Sequence, residues 1–123
     1  MTLITSSKEL SDLCQDLAKS DVVTVDTEFL RDQTYWPKLC LVQVADTHNY
    51  AAIDVLAPDI DLTPLFDLMK NQNVLKVFHS ARQDLEIFCL LMDEVPAPLF
   101  DTQLAAMVCG FGDSIGYDNL AKK

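Results

Sequence analysis

Two carboxylates that end the first strongly apolar run are the residues best suited to do chemistry. Asp26 and Glu28 stand in the stretch TVDTEF, directly after DVV. On a strand, residues two apart point to the same face, roughly 7 Å apart along the chain. Such carboxylates repel each other unless a cation lies between them or one of them takes up a proton. A hard divalent cation with oxygen ligands would relieve both the repulsion and the cost of desolvation. The alternative is that both acids begin a solvated loop.

A third carboxylate follows a second apolar strand, in the stretch VFHSARQDLE. His79 ends the strand, Ser80 is the predicted N-cap, and Asp84 lies one turn into the helix. Open α/β sheets place their sites at the carboxyl ends of strands, so Asp84 is expected to meet Asp26 and Glu28. The alternatives are a first-turn acid favoured by the helix dipole, and a hydrogen-bonded junction role for His79.

The elements that must position these acids follow from periodicity and from capping residues. Helices are predicted at 7–19, from 63 onward, at 80–92 and at 102–110. Strands are predicted at 22–28, 38–45, 49–55 and 74–78, with a short extended piece at 99–101 and a loop at 31–37. The short turn between the strands at 38–45 and 49–55 predicts antiparallel pairing, so the first three strands are expected to open the sheet as a meander. The strand at 74–78, between two helices, predicts a parallel crossover. The fold class is therefore α/β with a mixed sheet.

The third helix is predicted to bury one apolar stripe. That stripe comprises Leu85, Phe88, Cys89 and Met92, widened by Ile87 and Leu91. Asp84 is expected on its flank, towards the start of the helix. Asp84 and Glu86 cannot share a helix face, so only one of them can point at a given site.

Composition limits the class of protein. The chain has 123 residues, enough for one domain, and its nine basic and nineteen acidic residues give a net charge of −10. This balance argues against a nonspecific nucleic-acid coat protein. The sequence shows no secretory signal and no membrane span. The four cysteines lack CxxC spacing and lie in apolar segments, which predicts buried free thiols in the cytoplasm and argues against a zinc site.

Taken together, these stretches resemble a known family. An Asp-x-Glu that ends the first strand, two hairpin strands and a strand–helix unit with Asp84 resemble the DEDD exonucleases of the ribonuclease H-like fold. The stretches VDTEFLRDQTYWPKLCLVQVA, VFHSARQDLEIF and LFDTQLAAMVCGFG look specifically like ribonuclease D. Asp-x-Glu alone is a weak motif, but the three stretches at these spacings are a specific match over essentially the whole chain.

The resemblance implies a 3′→5′ exoribonuclease that uses two divalent metal ions, Mg²⁺ or Mn²⁺, and trims RNA 3′ ends such as those of transfer RNA precursors. Carried over by motif position, Asp26 would ligate both ions. Glu28 would hold the ion that binds the attacking water, and Asp84 would hold the other ion through water.

One part of the family pattern is missing. The third motif, Tyr-x-x-x-Asp, supplies a fourth acid and a tyrosine, but Tyr117 is followed four residues later by Ala121. We therefore expect residues 1–123 to form an incomplete exonuclease domain. A C-terminal helical RNA-binding domain, which many family members carry, is also expected to lie outside it. Because cooperating groups are lost, the chain alone is expected to be nearly inactive.

Substrate contacts are expected near the same strand end, where an aromatic side chain could stack on the terminal base. The residues expected to contact RNA are Phe29, Leu30, Trp36, Gln43, His79 and Tyr117, with Arg31 and Lys38 as candidates for phosphate contacts. For Phe29 and Leu30 a place in the core is the alternative, and for Gln43 a solvated strand face. Asp101 is interpreted as a helix cap.

Three competing functions remain open from the sequence. A DNA-directed proofreading exonuclease would share Asp26, Glu28 and Asp84, and a preference test between RNA and single-stranded DNA would separate the two. A non-catalytic binding or dimerisation module would show self-association through exposed apolar surface. A small acidic α/β domain without metal would require the motif matches to be accidental.

Overall fold

The computed structural model describes residues 1–30, 38–79 and 81–103. Its strands are β1 Thr2–Ile4, β2 Val22–Leu30, β3 Lys38–Ala45, β4 Tyr50–Asp54, β5 Leu75–Phe78 and β6 Leu99–Asp101. Its helices are α1 Ser7–Leu17, α2 Thr63–Lys70 and α3 Arg82–Met92. The six strands form one mixed sheet in the order β1-β4-β3-β2-β5-β6. The predicted α/β class is confirmed.

The centre of the sheet is the predicted meander. β3 pairs antiparallel with both β2 and β4. The turn between β3 and β4 is organised by the Asp46 carboxylate, which accepts hydrogen bonds from the backbone N–H groups of His48 (2.8 Å) and Asn49 (2.7 Å). The Ser20 hydroxyl, which precedes β2, donates to the same carboxylate. One acid therefore fixes the turn and ties it to the start of β2.

The predicted parallel crossover is also present. β5 lies beside β2 and β6 beside β5, both parallel, and α2 and α3 provide the connections. The carboxyl ends of β2, β5 and β6 consequently meet at one edge of the sheet. This edge carries the start of α3, which is the geometry that the sequence requires for Asp84 to approach β2.

The far edge differs from the prediction that the meander opens the sheet. β1, at Thr2–Ile4, pairs parallel with β4 and lies at this edge. Only Ile4 of its three residues is buried. A strand this short shows no alternation of apolar and polar residues, so periodicity could not identify it.

The helices pack on one face of the sheet. The predicted capping box is confirmed, because the Ser6 hydroxyl accepts from the Glu9 backbone N–H (3.2 Å) and donates to the Glu9 carboxylate (3.0 Å). The Ser7 hydroxyl joins the start of α1 to the loop before α2 through the Asp61 N–H (2.8 Å). The largest fully buried apolar side chains of the resulting core are Phe78, Phe88, Leu10, Leu17, Ile53, Leu65, Met69, Ile87, Val23, Val42 and Val44.

The predicted stripe of α3 is partly wrong. Its buried residues are Asp84, Ile87 and Phe88, whereas Cys89 and Leu91 are exposed. The buried face is therefore rotated towards Asp84, because the hydrogen bond of that carboxylate to β2 makes its burial possible. Leu85 and Met92 are half-buried against the core.

The helix start and the cysteines also differ from expectation. Ala81, rather than Ser80, occupies the N-cap position of α3, and Ser80 lies outside the described residues. Cys14 is buried, but Cys40 is only half-buried and Cys89 is exposed; all three are free thiols. The general prediction of buried thiols is thus wrong for Cys89, since the rotation of α3 turns this position to solvent.

Some predictions fall outside the described residues. These include the loop at 31–37 and most of the helix at 102–110, of which only Thr102 and Gln103 are described as helical. In the part of the chain that the structure describes, every helix is too short or too polar to cross a bilayer.

Candidate metal and nucleic-acid site

The two motif carboxylates share the open face of β2. Val23, Val25 and Thr27 are buried under the helices, and the intervening Asp26 and Glu28 are exposed. This alternation is the two-residue period of a strand. The Asp26 carboxylate accepts a hydrogen bond from the Thr27 backbone N–H (3.0 Å). The sequence prediction that the two acids project together is confirmed.

A register shift follows Glu28 immediately. Glu28 pairs with Leu41, but Phe29 pairs with Leu39, so Cys40 is the extra residue of a bulge on β3. Bulges bend the sheet and re-aim side chains, and they are frequent beside active sites. Here the shift falls at the end of the motif and separates it from the last pairs of the strand.

Asp84 contacts this strand at Thr27, the residue between the two motif acids. It lies in the first turn of α3, is only 6% exposed, and its Oδ1 accepts a hydrogen bond from the Thr27 hydroxyl. The positive end of the helix dipole favours a carboxylate at this position. The side chain of one β2 residue therefore links the helix to the strand that bears Asp26 and Glu28.

The protonation of Asp84 is perturbed by this environment. The pKa of Asp84 is raised from 3.8 to about 6, chiefly by burial; the hydrogen bond from Thr27 lowers it, and the charges of Asp26, Asp101 and Glu28 add to the rise. A like charge acts on a pKa only when it is near, so the four acids share one electrostatic environment. A bound cation would relieve the repulsion between them.

Asp101 and Thr102 hold the neighbouring turn. The Asp101 carboxylate accepts from the backbone N–H of Ala81 (2.8 Å) and of Gln103 (2.9 Å), so it caps two helix starts at once. The predicted capping role is confirmed. The Thr102 hydroxyl donates to the Phe78 carbonyl oxygen (3.3 Å).

The same hydroxyl lies 2.8 Å from His79 Nδ1. The Thr102 hydroxyl therefore joins the residue that follows β5 to the residue that follows β6. His79 is thus a hydrogen-bonded junction residue, and it also borders an open cavity. This cavity of about 390 Å³ is lined in part by Asp26, Gln43, Tyr50, His79 and Thr102.

Gln43 lies directly across from Asp26. The two residues are register partners in β2 and β3, so their side chains leave the same face of the sheet. Gln43 is half-buried and lines the cavity beside the motif. A cavity of this volume falls in the range of small-molecule pockets, about 300–1,000 Å³. The structure therefore places an amide group next to the first carboxylate.

The other residues predicted to contact RNA lie in different surroundings. Phe29 is half-buried and packs against the hydrophobic core, and the backbone of Leu30 ends β2. Lys38 is exposed at the start of β3. The other three, Arg31, Trp36 and Tyr117, lie outside the described residues.

The donor set at this edge is chemically uniform. Asp26, Glu28 and Asp84 offer only carboxylate oxygens, which are the ligands that Mg²⁺ and Mn²⁺ prefer. Within residues 1–30, 38–79 and 81–103, however, no three such side chains already stand in a ligand cage. The three acids fit a hard divalent cation in the type and charge of their ligand atoms.

Two contributors to the site were not predicted from the sequence. The Asp-x-Glu motif specifies no residue type at Thr27, and Thr102 lies outside the two motifs that carry the three candidate metal ligands. The available signal for Thr27 was a hydroxyl at a position where strand alternation predicts a buried side chain, since such a group must find a partner.

The whole chain, residues 1–123, matches the family model described as 3′-5′ exonuclease. The chain belongs to the 3′-5′ exonuclease family. It is 60% identical over 119 residues to the ribonuclease D of Sphingobium indicum, covering 96% of this chain and 31% of that protein. It is 56% identical over 123 residues to the ribonuclease D of Nitrobacter hamburgensis, covering 100% of this chain and 32% of the relative.

A solved structure agrees with these relatives. The crystal structure of Escherichia coli RNase D, described as an exoribonuclease involved in structured RNA processing, superimposes with a TM-score of 0.92 at 35% identity. The match covers 98% of this chain and 32% of that one. The chain thus spans about a third of the length of the ribonuclease D proteins that it matches. The resemblance to ribonuclease D and the ribonuclease H-like exonuclease fold are confirmed.

Proposed function

We propose that this chain forms the metal-binding part of a ribonuclease D-like 3′→5′ exoribonuclease, which hydrolyses RNA phosphodiesters from the 3′ end. The observation that carries the proposal is the meeting of β2 and α3. Asp26 and Glu28 lie on adjacent positions of one strand face, and their charges reach the buried Asp84. Family membership turns this acidic site into a candidate active site.

In this proposal each acid has its own role. Asp26 would be a ligand of both metal ions, Glu28 would hold the ion that activates the attacking water, and Asp84 would hold the other. When bound, two divalent ions, Mg²⁺ or Mn²⁺, would lower the pKa of the attacking water and stabilise negative charge on the leaving 3′ oxygen. Tyr117 is not followed by an acid four residues on, so this chain supplies three of the four family acids.

The RNA contacts are proposed from position. Gln43 and His79 border the cavity beside Asp26, and Lys38 is exposed where β3 begins. Phe29 packs against the core, which favours support of the strand end over stacking on a base. Leu30, Trp36 and Tyr117 stay predictions from the sequence.

The substrate class follows from the relative with a solved structure. Because Escherichia coli RNase D is involved in structured RNA processing, we propose 3′ ends of structured RNA, such as transfer RNA precursors, as the substrate here. A cytoplasmic location is proposed from the sequence, in which the four cysteines lie singly in apolar segments.

The function is tested with a 5′-labelled single-stranded RNA, Mn²⁺ and a high concentration of this chain. We expect a weak ladder that shortens from the 3′ end and disappears in Asp26→Asn. The ladder should be weak because one family acid is missing, and such losses cost orders of magnitude in rate. Internal cuts, shortening from the 5′ end, or equal products with Asp26→Asn would contradict the proposal. A preference for single-stranded DNA would favour the proofreading alternative.

A further inference from the structure

The hydroxyl of Thr27 has a specific partner in an otherwise apolar layer. In the described part of the chain, the buried polar or charged side chains are Thr27, Lys76 and Asp84. Lys76 donates to the backbone carbonyl oxygens of Asn71 (2.7 Å) and Ala97 (2.8 Å). The other two are bonded to each other.

Packing alone does not require a hydroxyl at position 27. Valine has nearly the same shape, suits a strand equally well, and avoids the cost of burying a polar group. The neighbours Val23 and Val25, on the same face of β2, fill their positions in this way. The hydroxyl of Thr27 is therefore explained by what it contacts, which is Oδ1 of Asp84.

The bond constrains Asp84 in relation to the motif. Thr27 lies between Asp26 and Glu28, and its χ1 angle is restricted because the side chain is β-branched. A carboxylate bound to it is held at a fixed offset from both neighbours, on an α3 start that Asp101 also fixes through the Ala81 N–H. Hydrogen-bonding partners of ligating carboxylates orient them and tune metal affinity.

We propose that Thr27 is a positioning residue whose hydroxyl orients the Asp84 carboxylate towards the divalent cation held by Asp26 and Glu28. The inference rests on the proposed function and assigns a role to the middle residue of the Asp-x-Glu motif. It states why this position carries a hydroxyl rather than an apolar side chain. Through Thr27, β2 would then position Asp84 in addition to its own two acids, Asp26 and Glu28.

The test measures Mn²⁺ affinity by electron paramagnetic resonance on this chain and four variants. Thr27→Val should weaken binding at least 10-fold, in line with the roughly 10–100-fold effect of such outer partners. Thr27→Ser, which keeps the hydroxyl, should stay within about threefold of the wild type, since the partner is retained. The matched control is Thr24→Val on the same strand, whose hydroxyl donates to the Ala45 carbonyl oxygen on the open face and should not matter. Asp26→Asn should abolish tight binding.

The outcomes separate the two claims. Wild-type affinity in Thr27→Val, with binding lost in Asp26→Asn, would overturn the positioning role and leave the metal site standing. Equal weakening by Thr27→Ser and Thr27→Val would also overturn it, because a retained hydroxyl should rescue binding. No binding by the wild type would contradict the metal site and the inference together. If Thr27→Val does not fold, Thr27→Ala replaces it. Thr27→Ala should then weaken Mn²⁺ binding at least 10-fold while Thr27→Ser does not, and equal affinities of these two variants would overturn the positioning role.

Discussion

Replacing Asp84 with asparagine should stabilise this protein at neutral pH when no metal is present. Asparagine keeps the shape of the side chain and an oxygen that can accept from the Thr27 hydroxyl. It removes the charge that burial disfavours and that Asp26, Asp101 and Glu28 repel. An acid that a metal site needs would thus destabilise the protein when no metal is bound, as is common for functional residues.

The magnitude follows from the pKa of Asp84, raised from 3.8 to about 6. The folded protein keeps a proton that the unfolded chain releases between about pH 4 and 6, so stability falls as pH rises through this window. About two pKa units correspond to roughly 3 kcal/mol. This is an upper limit, because Asp26 and Glu28 are exposed and salt screens their charges. We expect Asp84→Asn to gain about 1–3 kcal/mol above pH 6 and almost nothing below pH 4.

The assay is urea unfolding of both proteins from pH 4 to pH 8 with a chelator present. The difference between the two free energies of unfolding isolates Asp84, because all other acids are common to both. Glu86→Gln, on the same helix, is the matched control; its exposed ion pair with Arg82 (3.7 Å) should change stability by less than about 1 kcal/mol. A variant that is less stable than the wild type at pH 7, or a difference that does not depend on pH, would refute the reasoning.

Three further changes test the surrounding structure. Asp46→Ala should lower the free energy of unfolding in urea by about 1–2 kcal/mol, because the β3–β4 turn loses its hydrogen-bond acceptor. Burial alone would raise the pKa of Asp46, but hydrogen bonds from Ser20, His48 and Asn49 lower it. The stability that Asp46 contributes should therefore be lost as the pH falls below about 4. Burial lowers the pKa of Lys76 to about 8, so wild-type stability should rise between pH 8 and 10, and Lys76→Met should lack this rise. Asp101→Ala should cost about 1–2 kcal/mol and speed hydrogen exchange at the Ala81 amide, because it removes a cap; unchanged exchange there would contradict the capping role.

The strands could be predicted where the local sequence has a recognisable pattern. Lys38–Ala45 is an apolar stretch rich in valine and leucine, and its predicted bounds agree with the observed ones. Val74–Phe78 is a short run between two helices, apolar except for Lys76, and it forms the predicted parallel strand at Leu75–Phe78. β1 at Thr2–Ile4 has no such pattern, because it forms a strand only by pairing with β4 at the edge of the folded sheet.

The site could be predicted in its residues but not in its contacts. The spacing of Asp26 and Glu28 determines that they share a face, since strand geometry is local. The burial of Asp84 depends instead on a partner 57 residues away, Thr27, and the buried face of α3 is rotated towards Asp84 relative to the predicted stripe. Long-range hydrogen bonds of this kind leave no periodic pattern in the sequence, so the rotation could be found only in the structure.

The most direct test of the central claim follows Mn²⁺ binding by nuclear magnetic resonance of the ¹⁵N-labelled chain. If β2 and α3 form one metal site, small amounts of Mn²⁺ should first broaden the amide signals of Thr27, Glu28 and Leu85, and Asp26→Asn should prevent this. The chain carries nineteen acidic residues, so a site elsewhere is a real alternative. Broadening that begins around Asp16 and Asp46, or that is the same in Asp26→Asn, would contradict the account.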